Sequence, residues 1–207
     1  ANLWFVHAEI TGLPQPPNRA TTPRLKPGGI TSGSVMVPCP WFPDFAAYYR
    51  EHPGMDVGIH ITLTAEWDHY KWGGISSSSE IQSLLDANGY FYPDVEQLAL
   101  NADPCQVERK IRAQIERALS FGIRPSHLDT HMGSVAATPE LIQIYFKLGK
   151  EYDLPVLAPS IMLMGMPREK REEISEQFVL LDRLLMMQAH DSTLSWGEAY
   201  EQMLEKA

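Results

Sequence analysis

The chain has 207 residues, 44% of them hydrophobic, which is enough to bury a core without disulfides or a structural metal. Its 26 acidic and 17 basic side chains give a formal charge of −9, so a phosphate backbone or an anionic membrane would be repelled. Two cysteines are too few for a disulfide framework, and no apolar run approaches the ~18 residues of a membrane span. These features exclude nucleic acid and membranes as expected partners, and they predict one cytoplasmic domain over residues 1–207.

The hydrophobic pattern predicts strands and helices that alternate along the chain. Apolar or β-branched runs bounded by proline and glycine predict strands over 3–8, 30–37, 57–64, 126–131 and 154–164. Helical spacing predicts helices over 44–52, 104–121, 139–148, 168–188 and 195–206, and residues 73–101 are predicted as a long loop. This alternation predicts a parallel α/β architecture, an open sheet or a barrel, with chemistry at the carboxyl ends of the strands.

Two of the predicted strands carry histidine, in GIHITLT at 58–64 and in SHLDTHMG at 126–133. An extended strand would direct His127, Asp129 and His131 to one face, because their spacing is two. The backbones of His127 and His131 would then be about 13 Å apart, too far for both to hold one ion at ~2 Å. We therefore predict His131, nearer the carboxyl end, as a metal ligand, and Asp129 as a carboxylate that fixes an imidazole tautomer. A buried polar network that only holds strands together is the alternative.

A second histidine and one acid would complete a metal site. His60 and His131 with one carboxylate form the two-histidine, one-acid set that suits a divalent ion, Mg²⁺ or Zn²⁺, with positions open for water and substrate. Glu9, near the end of the first strand, is the predicted carboxylate. The alternative for a lone histidine on a strand is a buried core residue whose ring nitrogens are hydrogen-bonded within the protein.

Aromatic side chains cluster in the loops that follow two of the strands. They predict either loop packing or a platform on which sugar rings stack. The members are Trp41, Phe42, Trp67, Tyr70, Trp72, Tyr90, Phe91 and Tyr92.

Three segments resemble successive signatures of the YdjC-like carbohydrate deacetylase family, which includes chitooligosaccharide deacetylases: ITSGSVMVPCPW at 30–41, GIHITLT at 58–64 and PSHLDTHMGSV at 125–135. The resemblance implies a distorted (β/α) TIM-like barrel and a divalent metal used to hydrolyse acetyl groups from N-acetylated amino sugars. It implies His60 and His131 as the metal-binding imidazoles, with His127 and Asp129 beside them.

The amino-terminal signature departs from the family pattern. The family has two adjacent aspartates on its first strand, a general base and a third metal ligand, whereas residues 7–12 contain one acid, Glu9, followed by Ile10. Glu9 can replace either aspartate but cannot easily do both jobs. The sequence also ends before the last strand and helix typical of the family, so we expect a barrel that is incomplete at its carboxyl terminus.

The resemblance implies a mechanism in which Glu9, or else Asp129, takes a proton from a metal-activated water, and His127 protonates the departing amine. A catalytically silent carbohydrate-binding or regulatory barrel is the alternative from another class. A phosphoesterase is disfavoured, because no cationic residues flank the histidines. The sequence leaves open the sugar length, the metal and the oligomeric state, with a homodimer as one option.

Overall fold

The computed structural model describes residues 7–10, 32–182, 184, 198 and 202, and only the backbone is described for 7–10 and Ser78. The chain divides into two compact units, Ala1–Leu157 and Ala158–Ala207. The predicted strand residues 3–6 and most of the predicted helix 195–206 lie outside the described residues. None of the described helices has the length and hydrophobicity needed to cross a lipid bilayer.

Four parallel strands form the sheet of the first unit, and they lie side by side in chain order. They are β1 (His7–Ile10), β2 (Ser32–Val35), β3 (Val57–Ile61) and β4 (Leu128–Thr130). Every residue of β2 and β3 is buried, as expected for a parallel sheet covered on both faces. The parallel α/β class is therefore confirmed. Within the described residues the sheet is open, so the closed barrel is not observed.

Over residues 32–157, four α-helices connect or follow these strands: α1 (Phe42–Glu51), α2 (Val95–Asn101), α3 (Pro104–Ser120) and α4 (Pro139–Glu151). The two longest, α3 and α4, start where the sequence predicts. Asp103 and Thr138 cap them, each by accepting one hydrogen bond from the backbone N–H of the residue three positions later, and a proline follows each cap. Helix α4 buries its predicted apolar face, whereas α3 buries Val107, Ile111 and Ile115 but leaves the fourth predicted residue, Leu119, 45% exposed.

The prediction of a long loop over 73–101 was wrong in its last third. The segment contains short 3₁₀ helices at Ser78–Glu80 and Gln82–Leu84, and then helix α2. Helix α2 buries a single residue, Leu98, so its apolar periodicity is weak. The residue before this helix, Asp94, is nevertheless of a type that is typical of helix caps. Its side chain accepts a hydrogen bond from the backbone N–H of Gln97 at 2.8 Å.

The predicted strand 126–131 is shorter in the structure and does not include His131. A 3₁₀ helix over His131–Ala136 follows β4 directly, and Met132 and Gly133 in it have φ angles of 53° and 65°. Two successive residues in the left-handed region cannot continue a strand. The turn therefore begins at His131, the first residue after β4.

The predicted fifth strand over 154–164 is also wrong for most of its length. Leu128 donates to the carbonyl of Pro155 and accepts from Leu157, both at 2.8 Å, so pairing beside β4 is limited to one bridge at Val156. Pro155 and Pro159 have no N–H group with which to extend a ladder. The segment instead continues into a 3₁₀ helix at Ser160–Leu163 in the second unit.

In the second unit, helix α5 (Arg168–Gln177) ends well before the predicted residue 188. Phe178 is extended, and Leu181 forms a parallel bridge with Pro159. The backbone of Leu181 donates to Ala158 at 3.0 Å and accepts from Ser160 at 2.9 Å. Pairing between these backbone segments replaces the helical hydrogen bonds that the apolar spacing had predicted.

Candidate metal centre

Three polar side chains from neighbouring strands meet on one face of the sheet. Register aligns Ser34 with Gly58 and His60 with Asp129, so Ser34, His60 and Asp129 share a face. All three are almost completely buried. Buried polar groups are costly unless they are hydrogen-bonded, so their mutual contacts define what this cluster can do.

Asp129 holds His60 in one orientation. Oδ1 of Asp129 lies 3.0 Å from Nδ1 of His60, and Oδ2 accepts a hydrogen bond from the Ser34 hydroxyl at 2.8 Å. The Ser34 oxygen also lies 3.2 Å from the same imidazole nitrogen. Because the Ser34 hydroxyl donates its single hydrogen to Asp129, its oxygen accepts from the imidazole, so Nδ1 of His60 carries the hydrogen. In the neutral ring, Nε2 of His60 then bears the lone pair.

His131 faces that nitrogen from the turn after β4. Its Nδ1 lies 3.3 Å from Nε2 of His60, and the two ring planes are inclined by 69°. The opposite nitrogen of His131, Nε2, lies 2.8 Å from Oε2 of Glu66. Burial raises the pKa of Glu66, but its interactions with His131, first of all their hydrogen bond, lower it more, so the pKa lies below its usual value.

His127 lies deeper in the sheet than this pair. Register places His127 level with Gly58, two residues nearer the amino ends of the strands than His60 and Asp129. A Cβ atom on residue 58 would lie 2.4 Å from Nε2 of His127, so the missing side chain of Gly58 makes room for the ring. Its Nδ1 lies 2.8 Å from the Ser126 hydroxyl, which contacts Asp56.

Glu9 is the predicted site residue whose side chain lies outside the described structure. Its backbone belongs to β1 and is in register with Ser34. Of the predicted residues, the structure therefore brings His60, Asp129 and His131 together, with His127 behind them. Over residues 32–182, no group of three histidine, cysteine, aspartate or glutamate side chains is arranged to hold a metal ion, so a third ligand would come from elsewhere in the chain.

Sequence reasoning missed Glu66 and Ser34. Glu66 comes shortly after β3, at the carboxyl edge where polar residues of a parallel sheet collect, and that position was the available signal. Ser34 belongs to no recognisable catalytic motif, because the sequence around it lacks the turn of a serine nucleophile. Its observed contacts are instead with Asp129 and His60.

A run of aromatic rings leads from His131 to the surface. The ring centroids of His131 and Trp72 are 6.1 Å apart, those of Trp72 and Tyr70 are 6.1 Å apart, and those of Tyr70 and Trp67 are 6.5 Å apart. The inner ring, Trp72, is 3% exposed and donates from Nε1 to the carbonyl of Thr64 at 2.8 Å. The outer ring, Trp67, is 46% exposed. We call these three residues, Trp67, Tyr70 and Trp72, the aromatic track.

The fold and the cluster define an α/β protein with a histidine-rich site at the carboxyl edge of a parallel sheet. Residues 5–206 match the family model described as YdjC-like protein. The chain therefore belongs to the YdjC-like family, as the three sequence signatures predicted.

Named relatives support this membership. A carbohydrate deacetylase of Brevibacillus brevis is 33% identical over 171 residues, which cover 83% of this chain and 64% of that protein. A carbohydrate deacetylase of Thermus thermophilus is 37% identical over 140 residues, which cover 67% of this chain and 48% of that protein. The chain thus spans about half to two thirds of the length of these relatives.

A solved structure shares the fold. It comes from Enterococcus faecalis V583, from a protein named for a proposed cleavage of cellobiose phosphate. The TM-score is 0.79 at 22% sequence identity, and the match covers 98% of this chain and 74% of that chain. At this identity the likeness concerns the fold alone.

Proposed function

We propose that the protein is a metal-dependent hydrolase that removes acetyl groups from N-acetylated amino sugars or chitooligosaccharides. The observation that carries the proposal is the 3.3 Å separation between Nε2 of His60 and Nδ1 of His131. Two ligands about 2 Å from a tetrahedral ion are themselves about 3.3 Å apart. The pair is therefore spaced as two ligands of one divalent cation would be.

The donor set favours zinc over magnesium. His60 and His131 would supply two imidazole nitrogens, and Glu9 on the neighbouring part of the sheet is the proposed carboxylate ligand. Imidazole suits Zn²⁺, whereas Mg²⁺ prefers oxygen ligands. When bound, such an ion lowers the pKa of a coordinated water and polarises the acetamide carbonyl.

The proton-transfer roles follow from the resemblance and are part of the proposal. Glu9 is proposed either as the carboxylate ligand or as the base for the attacking water, and not as both, and His127 is the proposed acid for the departing amine. Asp129 was the alternative base. Both of its oxygens already contact His60 or Ser34, which favours a role in orienting His60.

The aromatic track supports a carbohydrate substrate. Aromatic rings that line a site offer flat apolar faces, which suit the apolar face of a pyranose. The exposed Trp67 lies at the outer end of a run that begins at His131. The names of the bacterial relatives agree with a small carbohydrate as the partner.

The strand order supports the barrel as the wider architecture. Strands that follow one another in chain order, without the reversal of a doubly wound sheet, are typical of (β/α) barrels. We propose a distorted TIM-like barrel over residues 1–207 as a single deacetylase domain.

The proposal is tested by acetate release from di-N-acetylchitobiose, using protein stripped of metal and reloaded with Zn²⁺, Mg²⁺, Mn²⁺ or Co²⁺. We expect turnover with at least one ion, and a loss of at least ~100-fold in His60→Asn and in His131→Asn. His52→Asn is the matched control, because His52 is exposed at the end of α1 and stacks on Tyr48. Wild-type protein that releases no acetate with any of the four ions would refute the activity.

A second candidate is a catalytically silent sugar-binding barrel. It is favoured by one observation, the single acid of the first strand, where Ile10 follows Glu9. Calorimetric titration with chitooligosaccharides separates the two functions. Binding without acetate release would identify the silent protein.

A further inference from the structure

Among the side chains that the structure describes, Glu66 is the carboxylate in contact with His131, and no sequence signature assigns it a role. Oε2 of Glu66 lies 2.8 Å from Nε2 of His131. The side chain of Glu66 is 30% exposed whereas that of His131 is 6% exposed, so the carboxylate lies between the buried imidazole and the surface.

The contact determines which nitrogen of His131 carries the hydrogen. A carboxylate can accept but not donate, so the hydrogen lies on Nε2 of His131, facing Glu66. In the neutral ring, Nδ1 then bears the lone pair, and Nδ1 is the atom that faces His60 at 3.3 Å.

The same arrangement exists on the other side of the pair. The Ser34 hydroxyl donates its hydrogen to Asp129, so its oxygen accepts from Nδ1 of His60, which leaves the lone pair of that ring on Nε2. Two lone pairs therefore meet across 3.3 Å, where they repel each other unless a cation lies between them. Two carboxylates, one behind each ring, create this arrangement.

We infer that Glu66 is a positioning residue that holds His131 in the tautomer with hydrogen on Nε2, and thereby keeps the nitrogen facing His60 available for a cation. The inference deepens the proposed metal-dependent function and rests on it for its catalytic consequence. The tautomer itself exists whether or not the protein is a deacetylase.

Removal of the carboxylate has a specific expected effect. Without an acceptor at Nε2, the hydrogen of His131 moves to Nδ1, from which it donates to Nε2 of His60 across the existing 3.3 Å. A hydrogen bond then occupies the space between the two rings. Partners of this kind typically contribute 10- to 100-fold to metal affinity, so we expect a loss of about that size.

The test is nitrogen-15 NMR of the imidazole rings in metal-free protein at pH 8, with His131→Gln used to assign the His131 signals among the seven histidines. We expect hydrogen on Nε2 of His131 in the wild type and on Nδ1 in Glu66→Leu. Glu66→Gln, whose amide can accept or donate, should give a mixture. Glu96→Leu, an exposed acid on α2, is the control and should leave the His131 signals unchanged.

Calorimetric titration with Zn²⁺ provides the second readout. We expect the affinity to fall about 10- to 100-fold in Glu66→Leu, less in Glu66→Gln, and not in Glu96→Leu. Wild-type protein with hydrogen on Nδ1 of His131, or a Glu66→Leu protein with the wild-type tautomer, would overturn the inference. Failure of the wild type to release acetate would count against the proposed deacetylase activity and would leave the tautomer result to decide the role of Glu66.

Discussion

His60, His127 and His131 come from two similar sequence segments, yet their surroundings differ. His60 and His131 face each other with a carboxylate behind each ring. His127 lies over Gly58 and contacts Ser126. The partners of each ring, and not the residue type, distinguish a candidate ligand from a histidine buried behind it.

Gly58→Ala should disturb the packing of His127. The added Cβ would lie 2.4 Å from Nε2 of the ring, closer than van der Waals contact allows, so the ring or the strand must shift. We expect a loss of about 1–3 kcal/mol in the free energy of unfolding, measured by urea denaturation.

Gly54→Ala is the matched control for this substitution. Nothing lies within 4 Å of the Cβ that it would add, so we expect stability to be unchanged or slightly increased. Equal effects of the two substitutions would contradict the close packing of His127 on residue 58.

Trp67→Ala should weaken the binding of sugar chains without slowing the chemical step. Trp67 is the exposed end of the aromatic track and lies two rings beyond the ring that neighbours His131. We expect KM for tri-N-acetylchitotriose to rise several-fold while kcat changes little, because the loss of binding that is equal in the ground state and the transition state raises KM alone.

Tyr48→Ala serves as the control, because Tyr48 stacks on His52 at the end of α1 and is not part of the aromatic track. Steady-state kinetics of both variants should separate them. An unchanged KM in Trp67→Ala would argue against the aromatic track as a sugar platform.

Helix α3 contributes more than apolar packing, because two of its buried residues are polar. The side chain of Gln114 accepts from the backbone N–H of Thr62 and donates to its carbonyl, both at 3.0 Å. These two bonds give hydrogen-bond partners to the N–H and the carbonyl of Thr62, the residue directly after β3, where strand pairing has ended. The helix thus fixes the strand end that carries His60.

One turn earlier in α3, Lys110 is completely buried. Its Nζ lies 4.9 Å from the ring centroid of Phe91 and has no hydrogen-bond partner among the described residues. Burial, aided by the charge of Arg117, lowers the pKa of Lys110 to about 7. Desolvation of a charged ammonium group is thus incompletely compensated here.

Stability should rise with pH from about 7 to about 10 because of Lys110. Unfolded lysine titrates near 10.4, so over this interval the unfolded state binds more protons than the folded state. Lys110→Met should remove this slope and raise the free energy of unfolding at pH 7 by about 1–4 kcal/mol. Urea denaturation at several pH values measures both effects.

Lys147→Met on α4 provides the contrast. Lys147 is exposed and forms an ion pair with Glu108 at 2.7 Å, so its loss should cost at most about 1 kcal/mol and leave the pH slope intact. A Lys110→Met protein with the wild-type pH slope would show that Lys110 does not titrate in this range.

Across the whole molecule, the candidate metal centre lies within the first of the two units, since Ser34, His60, Glu66, Asp129 and His131 all precede residue 157. They come from three strands and two connecting segments. Any ligand that joins these segments should therefore stabilise the folded first unit as well as complete the site.

Divalent metal should raise the thermal unfolding temperature. A ligand that binds only the folded state at one hundred times its Kd stabilises that state by about 2.7 kcal/mol. We expect Zn²⁺ to raise the Tm, a chelator to reverse the rise, and His60→Asn or His131→Asn to abolish it, as measured by calorimetry. The same rise in both variants would place the bound metal elsewhere on the protein.

Sequence patterns predicted the elements that depend on local chemistry. Helices α3 and α4 are confirmed because a capping residue, a following proline and an apolar stripe all lie within a few residues of one another. Elements that depend on distant partners were mispredicted. Leu181 leaves the helical pattern because the backbone of residues 158–160 offers it hydrogen bonds.

The residues of the candidate site show the same difference between features that depend on local sequence and features that depend on distant partners. Alternation along a strand placed Asp129 beside the predicted ligands, and the family resemblance identified His60 and His131. Glu66 could not be assigned a partner, because 65 residues separate it from His131 in the chain. Strand β4 ends at Thr130, so His131 begins the turn in which Met132 and Gly133 have left-handed backbone conformations.

By itself the sequence determined the family and the parallel α/β class, and it predicted the two imidazoles as ligands, since these depend on residue types and on spacing of a few positions. The tertiary structure decided which nitrogens face each other and which carboxylate lies behind each ring. Those features depend on register between strands and on the backbone direction after β4. Neither is encoded in any short stretch of sequence, because each is fixed only when distant segments pack together.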